Sequence, residues 1–389
     1  MALIKKINQY NTGIPAALHD IKWAKMRKSP FDFYRATCFL FADDFAKYYK
    51  TKTKIKSWIC GDAHLENFGS YKGQDRQIYF DLNDFDEAII ASPEAEIARF
   101  LTSVLVAAAQ MNAPYVKLHK ALHDIMEAYT GAITARKAML MQPAIAKGEF
   151  RHFFESMSTL DRNSFIQQRT KKQKGTLLIN TDGTRYSPLD EARKLELYES
   201  LAPLLKAHPA FAEMVFEDAA FRIAGTGSLG LNRYAALLFS RKKGKHYMLD
   251  IKATRTSCNS VLTTFKQPKF KNEAERIISA GYLMQYSAPA FMVPYKIADQ
   301  WYVVKELQPT NDKIAVSTFN SDFSRLAEVV IEMAKLLAYA HLRSSGNFGA
   351  STADELVKFA GKKQWQKDVI ELSGTLAKKN DQYYKTFSK

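Results

Sequence analysis

Apolar residues recur at helical spacing in several long stretches of this chain. In one of them, Ser92 and Pro93 come first, and Ser at an N-cap followed by Pro in the first turn is typical of a helix start. The apolar stripe behind them contains Ile97, Phe100, Leu101, Val104, Leu105 and Ala108. A later stripe contains Leu326, Val329, Val330, Met333, Leu336, Leu337 and Ala340. The composition of the remaining apolar segments predicts further helices before Tyr49, over residues 115–133 and over residues 188–205.

Shorter apolar or alternating runs predict strands. Residues 58–60 and 78–80 form two of them, and each runs directly into polar residues. A later group comprises residues 221–224, 234–239, 247–252 and 301–307, the last of which is expected to act as a hinge. Residues 146–190 are polar and basic and contain glycine, which predicts a mobile insertion that contacts substrate. Together these elements predict an α+β fold.

The composition is that of an intracellular enzyme. With 389 residues, 47% of them hydrophobic, the chain is long enough to bury a substantial core in two lobes. It has no run of about eighteen apolar residues and no apolar signal-peptide segment at the N-terminus. Its three cysteines are widely spaced, as in a reducing compartment. We therefore expect a cytoplasmic protein without a membrane span.

The formal net charge of +16 is large enough to attract polyanions. The basic residues are spread along the chain, however, and no nucleic-acid motif or aromatic-basic repeat accompanies them. A solvated basic surface is therefore favoured over a nucleic-acid interface, which stays possible. Nucleotide phosphates would account for part of the bias.

One short motif predicts chemistry. Residues 61–67 read Gly-Asp-Ala-His-Leu-Glu-Asn, and an Asp followed five residues later by an Asn is the layout of a phosphoryl-transfer catalytic loop. Asp62 would reach the acceptor hydroxyl, and Asn67 would hold a Mg²⁺ that bridges the nucleotide phosphates. By itself such a pair is more often a turn.

A carboxylate cluster follows the strand at residues 78–80. Oxygen ligands suit Mg²⁺, and the cluster offers Asp81, Asp84 and Asp86. Asp84 is favoured, because Asp84-Phe85-Asp86 has the Asp-aromatic-acid pattern of small-molecule kinases. Asp81 lies nearer the usual distance from Asn67, so the choice within the cluster stays open, with Asp86 as an auxiliary ligand. The cluster also fits a solvated loop.

A glycine-rich motif follows the first strand of the later group. It is a complete G-x-G-x-x-G formed by Gly225, Thr226, Gly227, Ser228, Leu229 and Gly230, and such glycines let backbone N–H groups approach phosphates. Lys252 ends the third strand, where kinases place a phosphate-binding lysine. A helix after residue 272 should carry the glutamate partner of this lysine, with Glu275 favoured over Glu273.

The glycine motif has a rival interpretation as a dinucleotide-binding βαβ unit. Asp250 lies about twenty positions after Gly230, at the spacing of the acidic residue that binds ribose. The apolar run after Gly230 is barely long enough for the helix that such a unit needs, and residues 61–67 stay unexplained. An NAD-type oxidoreductase is therefore the alternative. An inert nucleotide-binding module and an AMP-transferring enzyme also stay open.

The order of the motifs is unusual, because in ordinary kinases the glycine loop and its lysine precede the catalytic loop. Circular permutation allows the reverse order when chain ends lie close together. It predicts a helical lobe over residues 1–214, a small β lobe over residues 215–310, and C-terminal helices over residues 311–389 that complete the helical lobe. The helix that ends at His341 should then pack beside residues 61–67.

These motifs resemble an uncharacterised bacterial family, domain of unknown function 2252. The resemblance is carried by residues 60–87, by Ser29-Pro30-Phe31 with Arg35, by residues 225–230 with Lys252, and by residues 338–341. It covers most of the chain, and its most specific parts are residues 61–69 and 83–87.

That family is regarded as a remote relative of kinases and resembles aminoglycoside and choline phosphotransferases around the catalytic loop. The resemblance implies a kinase-like fold but no particular substrate. It also implies that Glu96 and Arg99 pair with neighbouring structural groups. Cys60 stands where the family usually has a His that braces the loop.

The sequence thus predicts a bilobal, circularly permuted, kinase-like phosphotransferase that uses ATP and Mg²⁺. Its acceptor would be an unidentified hydroxyl-bearing small molecule or protein. Asp62 is the expected catalytic residue, and Asn67 and Asp84 are the expected metal ligands. Lys252 would bind the α- and β-phosphates, with Glu275 positioning it.

Overall fold

The computed structural model describes residues 2–51, 53–158, 161–209, 211, 213–227, 229–308 and 313–389. The helices are α1 (Ala2–Tyr10), α2 (Ala16–Arg27), α3 (Pro30–Ala36), α4 (Cys38–Tyr48), α5 (Pro93–Gln110), α6 (Tyr115–Ala135), α7 (Gly148–Ser158), α8 (Arg162–Gln167), α9 (Glu191–Ala207), α10 (Glu273–Met284), α11 (Phe323–Ser344), α12 (Ala353–Ala360) and α13 (Lys363–Phe387). The strands are β1 (Ser57–Ile59), β2 (Phe68–Lys72), β3 (Ile78–Leu82), β4 (Ile89–Ala91), β5 (Thr170–Gln173), β6 (Thr176–Ile179), β7 (Tyr186–Ser187), β8 (Met214–Arg222), β9 (Arg233–Ser240), β10 (Lys245–Ala253), β11 (Met292–Ile297) and β12 (Gln300–Glu306). The predicted mixture of helix and strand is confirmed.

One antiparallel sheet has the strand order β11-β12-β10-β9-β8-β7. Its side chains alternate between two faces, as pleated strands require. Leu238 and Leu249 belong to a core on one face that includes Leu197 and Leu201 of α9. Asp250 and Lys252 alternate with the residues of that core, so they lie on the opposite face, and Lys252 lines a cavity there.

A second, larger core lies among the helices. It contains fully buried residues of α5, α6, α11 and α13, among them Val104, Ile133, Val330 and Val369. The helices that follow the sheet in sequence therefore share a core with those that precede it.

The two helices that were predicted from apolar residues at helical spacing are both present. In α5, the Ser92 side chain accepts a hydrogen bond from the backbone N–H of Glu94, and Pro93 occupies the first turn. The second stripe forms α11, in which all seven stripe residues are buried. No helix within the described part of the chain has the length and apolar character needed to cross a membrane.

The polar stretch over residues 146–190 is more ordered than an inserted loop. It forms α7, α8 and strands β5 to β7. Phe150 and Phe154 of α7 belong to the helical core, while Phe165 and Ile166 of α8 pack with residues of the sheet. These few apolar side chains are what fix an otherwise polar segment.

A buried ion pair joins β3 to α11. Arg343 Nη2 lies 2.7 Å from Asp81 Oδ2, and the backbone N–H groups of Leu82 and Tyr286 also donate to the Asp81 carboxylate. Asp81 is only 2% exposed. Burial raises the pKa of Asp81, and the Arg343 guanidinium opposes that rise.

We expect Arg343→Met to lower the free energy of unfolding by about 3–5 kcal/mol, because it leaves a buried carboxylate without its cation. Urea denaturation measures the effect. Lys120→Ala is the control, since the Lys120–Asp124 pair is exposed and its loss should change stability by about 0.5 kcal/mol or less. Equal effects of the two substitutions would show that Asp81 does not depend on Arg343.

Candidate active site

The loop after β1 begins with a glycine that no other residue can replace without strain. Gly61 has a φ of +81°, in the left-handed region that favours glycine. A Cβ atom there would lie 2.1 Å from the backbone oxygen of Glu87. Asn259, which is fully buried, donates to the backbone oxygens of both Gly61 and Glu87, at 2.8 and 3.1 Å. The loop is therefore packed tightly against its neighbours.

Asp62 follows this glycine and is oriented by a buried arginine. Arg99 Nε and Nη2 donate to Asp62 Oδ1 at 2.9 and 2.7 Å, and the guanidinium lies over the ring of Tyr34. His64 Nε2 is 3.8 Å from the other carboxylate oxygen. Burial holds the pKa of His64 well below its usual value, so this ring is neutral.

Burial also raises the pKa of Asp62, to about 6, against the opposing effect of Arg99. The side chain keeps 21% of its surface exposed. Asp62 is thus a largely ionised carboxylate at neutral pH that takes up a proton more readily than an exposed aspartate does. This is a useful property in a group that accepts a proton during a reaction.

Glu96 fixes the start of the same loop. Its carboxylate accepts hydrogen bonds from the backbone N–H groups of Cys60 and Gly61, at 2.8 and 2.9 Å. His341 Nε2 of α11 lies 3.3 Å from Glu96 Oε2. The expected proximity of the helix containing His341 to this loop is present, and so are the pairings expected for Glu96 and Arg99.

Asn67 joins the loop to the carboxylate cluster. Its Nδ2 donates to the backbone oxygens of Asp62 and Asp84, at 2.9 and 3.2 Å. Its Oδ1 is buried and has no hydrogen-bond partner. Because a buried polar atom without a partner is unfavourable, this oxygen is suited to a ligand that the protein alone does not supply.

Lys252 reaches the cluster from the sheet. Its Nζ lies 3.1 Å from Asp84 Oδ2 and 2.6 Å from Asp86 Oδ2. Burial would raise the pKa of Asp84, but the Lys252 ammonium, the backbone N–H of Asp86 and the charge of Lys305 together lower that pKa to about 2. For Asp86, burial and the Asp84 charge together raise the pKa. Asp84 therefore binds a proton more weakly than Asp86 does.

Glu275 has different partners from the one expected. Its carboxylate accepts from the backbone N–H of Lys271 at 2.6 Å, whereas the described ion pairs of Lys252 are with Asp84 and Asp86. The inward-facing charged residue of α10 is instead Arg276.

Arg276 Nη1 and Nη2 donate to the backbone oxygens of Ala88 and Asp86, at 2.6 and 2.7 Å. The helix therefore holds the segment that carries the carboxylates, and it does so through an arginine. Glu273 pairs with Arg276 at 2.6 Å, so neither predicted glutamate reaches Lys252. The only sequence signal for this role is the three-residue spacing of Glu273 and Arg276, which also occurs in solvent-facing pairs.

The glycine motif lies between two antiparallel strands, β8 and β9. Among the described residues the next element after it is β9 and not a helix, so the βαβ unit of the rival interpretation does not form here. Asp250, the expected ribose-binding residue of that interpretation, is fully buried and pairs with Arg222 and Arg233, at 2.7 and 2.6 Å. Ser228 lies outside the described residues.

The N-terminal helices hold this glycine loop from outside. Lys22 Nζ donates to the backbone oxygens of Gly227 and Leu229, at 2.9 and 3.1 Å. Burial lowers the pKa of Lys22 to about 7, and Arg255 adds to the effect. A Cβ atom at Gly230 would lie 2.3 Å from the side chain of Ile14. No motif in the sequence points to these contacts.

Two adjoining cavities bring the motifs together. One, of about 550 Å³, is lined by residues that include Asn67, Asp84, Asp86, Gly225, Thr226 and Lys252. The other, of about 90 Å³, is lined by Asp62, Asp84 and Asp86 on one side and by residues 225–227 on the other. Parts of the chain that are far apart in sequence thus face one space.

Three of the predicted site residues that the structure describes line neither cavity. Asp81 is not among the lining residues, because its carboxylate pairs with Arg343. Glu275 and Gly230 are also not among them. A larger cavity of about 850 Å³, whose lining includes Trp58, Phe270 and Trp301, contains none of the predicted site residues that the structure describes except the less favoured glutamate, Glu273. The chemistry of the motifs therefore belongs to the smaller cavities.

The residues present fit a Mg²⁺ ion that is shared with a ligand. No group of three or more His, Cys, Asp or Glu side chains within the described ranges is arranged to hold a metal by itself. Mg²⁺ is commonly held by one or two carboxylates with phosphate oxygens and waters. The Asp84 carboxylate and the unpartnered Asn67 Oδ1 are suitable oxygen donors of this kind.

Comparison with protein-family models identifies the group to which this chain is related. The match extends over residues 14–389 to a family described as an uncharacterized protein conserved in bacteria, DUF2252. The chain belongs to this family. Comparisons with curated proteins and with solved structures gave no match.

We expect Lys252→Met to raise the pKa of Asp84 by at least about one unit, because it removes the largest of the interactions that lower this pKa. An NMR titration of isotope-labelled aspartate carboxyls measures this shift. Lys206→Ala, at an exposed position of α9, is the control and should leave that pKa unchanged. An unchanged Asp84 in Lys252→Met would contradict the electrostatic coupling.

Proposed function

We propose that the protein is an ATP- and Mg²⁺-dependent phosphotransferase with a circularly permuted, kinase-like arrangement of its lobes. One observation carries the proposal: Lys252 contacts Asp84, and Asn67 bonds the backbone of both Asp84 and Asp62. The lysine, the asparagine and the two aspartates that phosphoryl transfer needs thus form one connected group beneath a glycine loop.

In this proposal the sheet and its glycine loop bind the nucleotide. Lys252 would contact the α- and β-phosphates in place of the carboxylates it pairs with in the described structure. Residues 225–227 would offer backbone N–H groups to the phosphates. Asn67 and Asp84 would hold Mg²⁺, which when bound neutralises charge on the phosphates, and Asp86 would assist them.

Asp62 is the proposed catalytic residue. Arg99 donates two hydrogen bonds to one oxygen of its carboxylate. The other oxygen would accept a hydrogen bond from the acceptor hydroxyl. A pKa of about 6 lets Asp62 take the hydroxyl proton while staying ionised at neutral pH.

The structure argues against one of the three alternatives, and experiments distinguish the other two from a phosphotransferase. The NAD-type alternative lacks its βαβ unit, because β9 follows the glycine loop as an antiparallel strand. An inert module would bind nucleotide without turnover. An AMP-transferring enzyme would add a nucleotide to its acceptor and release pyrophosphate, so the product distinguishes it.

Isothermal titration calorimetry tests the nucleotide site. ATP should bind in a Mg²⁺-dependent manner, and Lys252→Ala should weaken binding at least about tenfold, since it removes the phosphate-binding cation. Asn67→Ala and Asp84→Ala should each weaken the Mg²⁺-dependent part by a similar factor. Lys206→Ala is the control.

Two results would contradict this assignment. Tight NAD binding without measurable ATP affinity would exclude the phosphotransferase. A much larger effect of Asp81→Ala than of Asp84→Ala, in protein that circular dichroism shows to be folded, would move the metal to Asp81.

The rate of Mg²⁺-dependent ATP hydrolysis, with water in place of the acceptor, tests Asp62. It should rise with pH, reach half its maximum near pH 6 and level off above about pH 7, because only the ionised carboxylate accepts a proton. Asp62→Asn keeps the shape of the side chain and should lower the rate about a hundredfold or more. A wild-type rate that does not change between about pH 5 and 7 would be inconsistent with a base of this pKa.

A further inference from the structure

The larger of the two site cavities has a strong excess of positive charge. Ten of its lining residues are Lys or Arg, and four are Asp or Glu. A nucleoside triphosphate that has already bound a divalent cation would neutralise only part of such an excess. The cavity is therefore suited to a second anionic group besides the nucleotide.

Seven of these ten cations form two groups according to the part of the chain that carries them. On the sheet, Arg222 and Arg233 share the buried carboxylate of Asp250, and Lys252 pairs with the carboxylates of the cluster. This group lies beside the glycine loop, where the proposed function puts the nucleotide. Each of these three cations already has a carboxylate partner within the protein.

The other group lies on the helical side of the cavity. It consists of Lys25 of α2, Lys28 at the end of α2, Arg35 of α3, and Lys313. Glu66 pairs with both Arg35 and Lys313. Lys25 and Lys28 have no ion pair with any residue that the structure describes.

Two further observations indicate that this group is built for a ligand. Lys25 is partly buried, and its pKa is lowered by burial first and then by the charges of Lys28, Arg35 and Lys313, so these cations are crowded together. Arg35 Nε is buried and has no hydrogen-bond partner. Glu66 and Asp32 offset the charges of Arg35 and Lys313, but Lys25 and Lys28 add two like charges that repel the others unless a further anion joins them.

Arg35 connects this group to the proposed chemistry. It lines the larger cavity together with Lys25 and Lys28, and it also lines the small cavity that contains Asp62. An anion held by the helical-side group would thus lie next to the residue that is expected to receive the acceptor hydroxyl.

We infer that the acceptor is a phosphate-bearing hydroxyl compound whose phosphate is held by Lys25, Lys28 and Arg35. This inference rests on the proposed function. The acceptor oxygen forms a bond to the γ-phosphorus of ATP as the bond from that phosphorus to the β,γ-bridging oxygen breaks. The hydroxyl proton passes to Asp62, and ADP leaves.

Calorimetric titration of inorganic phosphate into protein saturated with Mg²⁺ and a non-hydrolysable ATP analogue tests the inference. Phosphate should bind alongside the analogue, and Lys25→Ala/Lys28→Ala should weaken it at least about tenfold. The same double variant should change the affinity of the analogue by less than about threefold. Lys206→Ala is the matched control and should leave phosphate binding unchanged. Acetate should bind at least about tenfold more weakly than phosphate.

Three results would overturn the inference: competition between phosphate and the analogue, an equal loss of phosphate binding in Lys206→Ala, and equal binding of acetate and phosphate. If the analogue itself does not bind, the proposed function fails. Titration of phosphate into the nucleotide-free protein and its double variant then still tests the cation group, and no difference between them would reject it.

Discussion

The candidate site depends on one buried carboxylate, that of Glu96. It accepts hydrogen bonds from two consecutive backbone N–H groups, of Cys60 and Gly61, and lies beside the imidazole of His341. A backbone held in this way has little freedom to move, so the position of Asp62 is set by α5 and α11 rather than by the loop itself. Arg99, one turn further along α5 than Glu96, then fixes the orientation of the Asp62 side chain.

Part of this site could be predicted from the sequence because it is local. The five-residue spacing of Asp62 and Asn67 leads to a direct hydrogen bond between them, and alternation along β10 directs Lys252 toward the cavity. The sequence around these residues could not show which of Asp81 and Asp84 lines the cavity. That outcome depends on Arg343, which is 262 residues from Asp81 in sequence, and no pattern around Asp81 reveals that partner.

The expected partner of Lys252 was also beyond the sequence. A glutamate on α10 is chemically reasonable, but which side of a helix faces the site depends on how the helix packs. Here Arg276 faces inward, and the carboxylates for Lys252 come from the segment after β3. Similarly, the net charge of +16 gives no indication that ten cationic side chains line one cavity.

The contribution of α11 to the site has a consequence for biosynthesis. A ribosome completes residues 61–86 early, yet His341 and Arg343 emerge only after the whole sheet has been made. A nascent chain therefore carries Asp62 and Asp84 without the helix that supports them, and domains of this size fold as units. Any product that terminates before α11 lacks both supports, so this arrangement of residues forms only in chains that have been translated past α11.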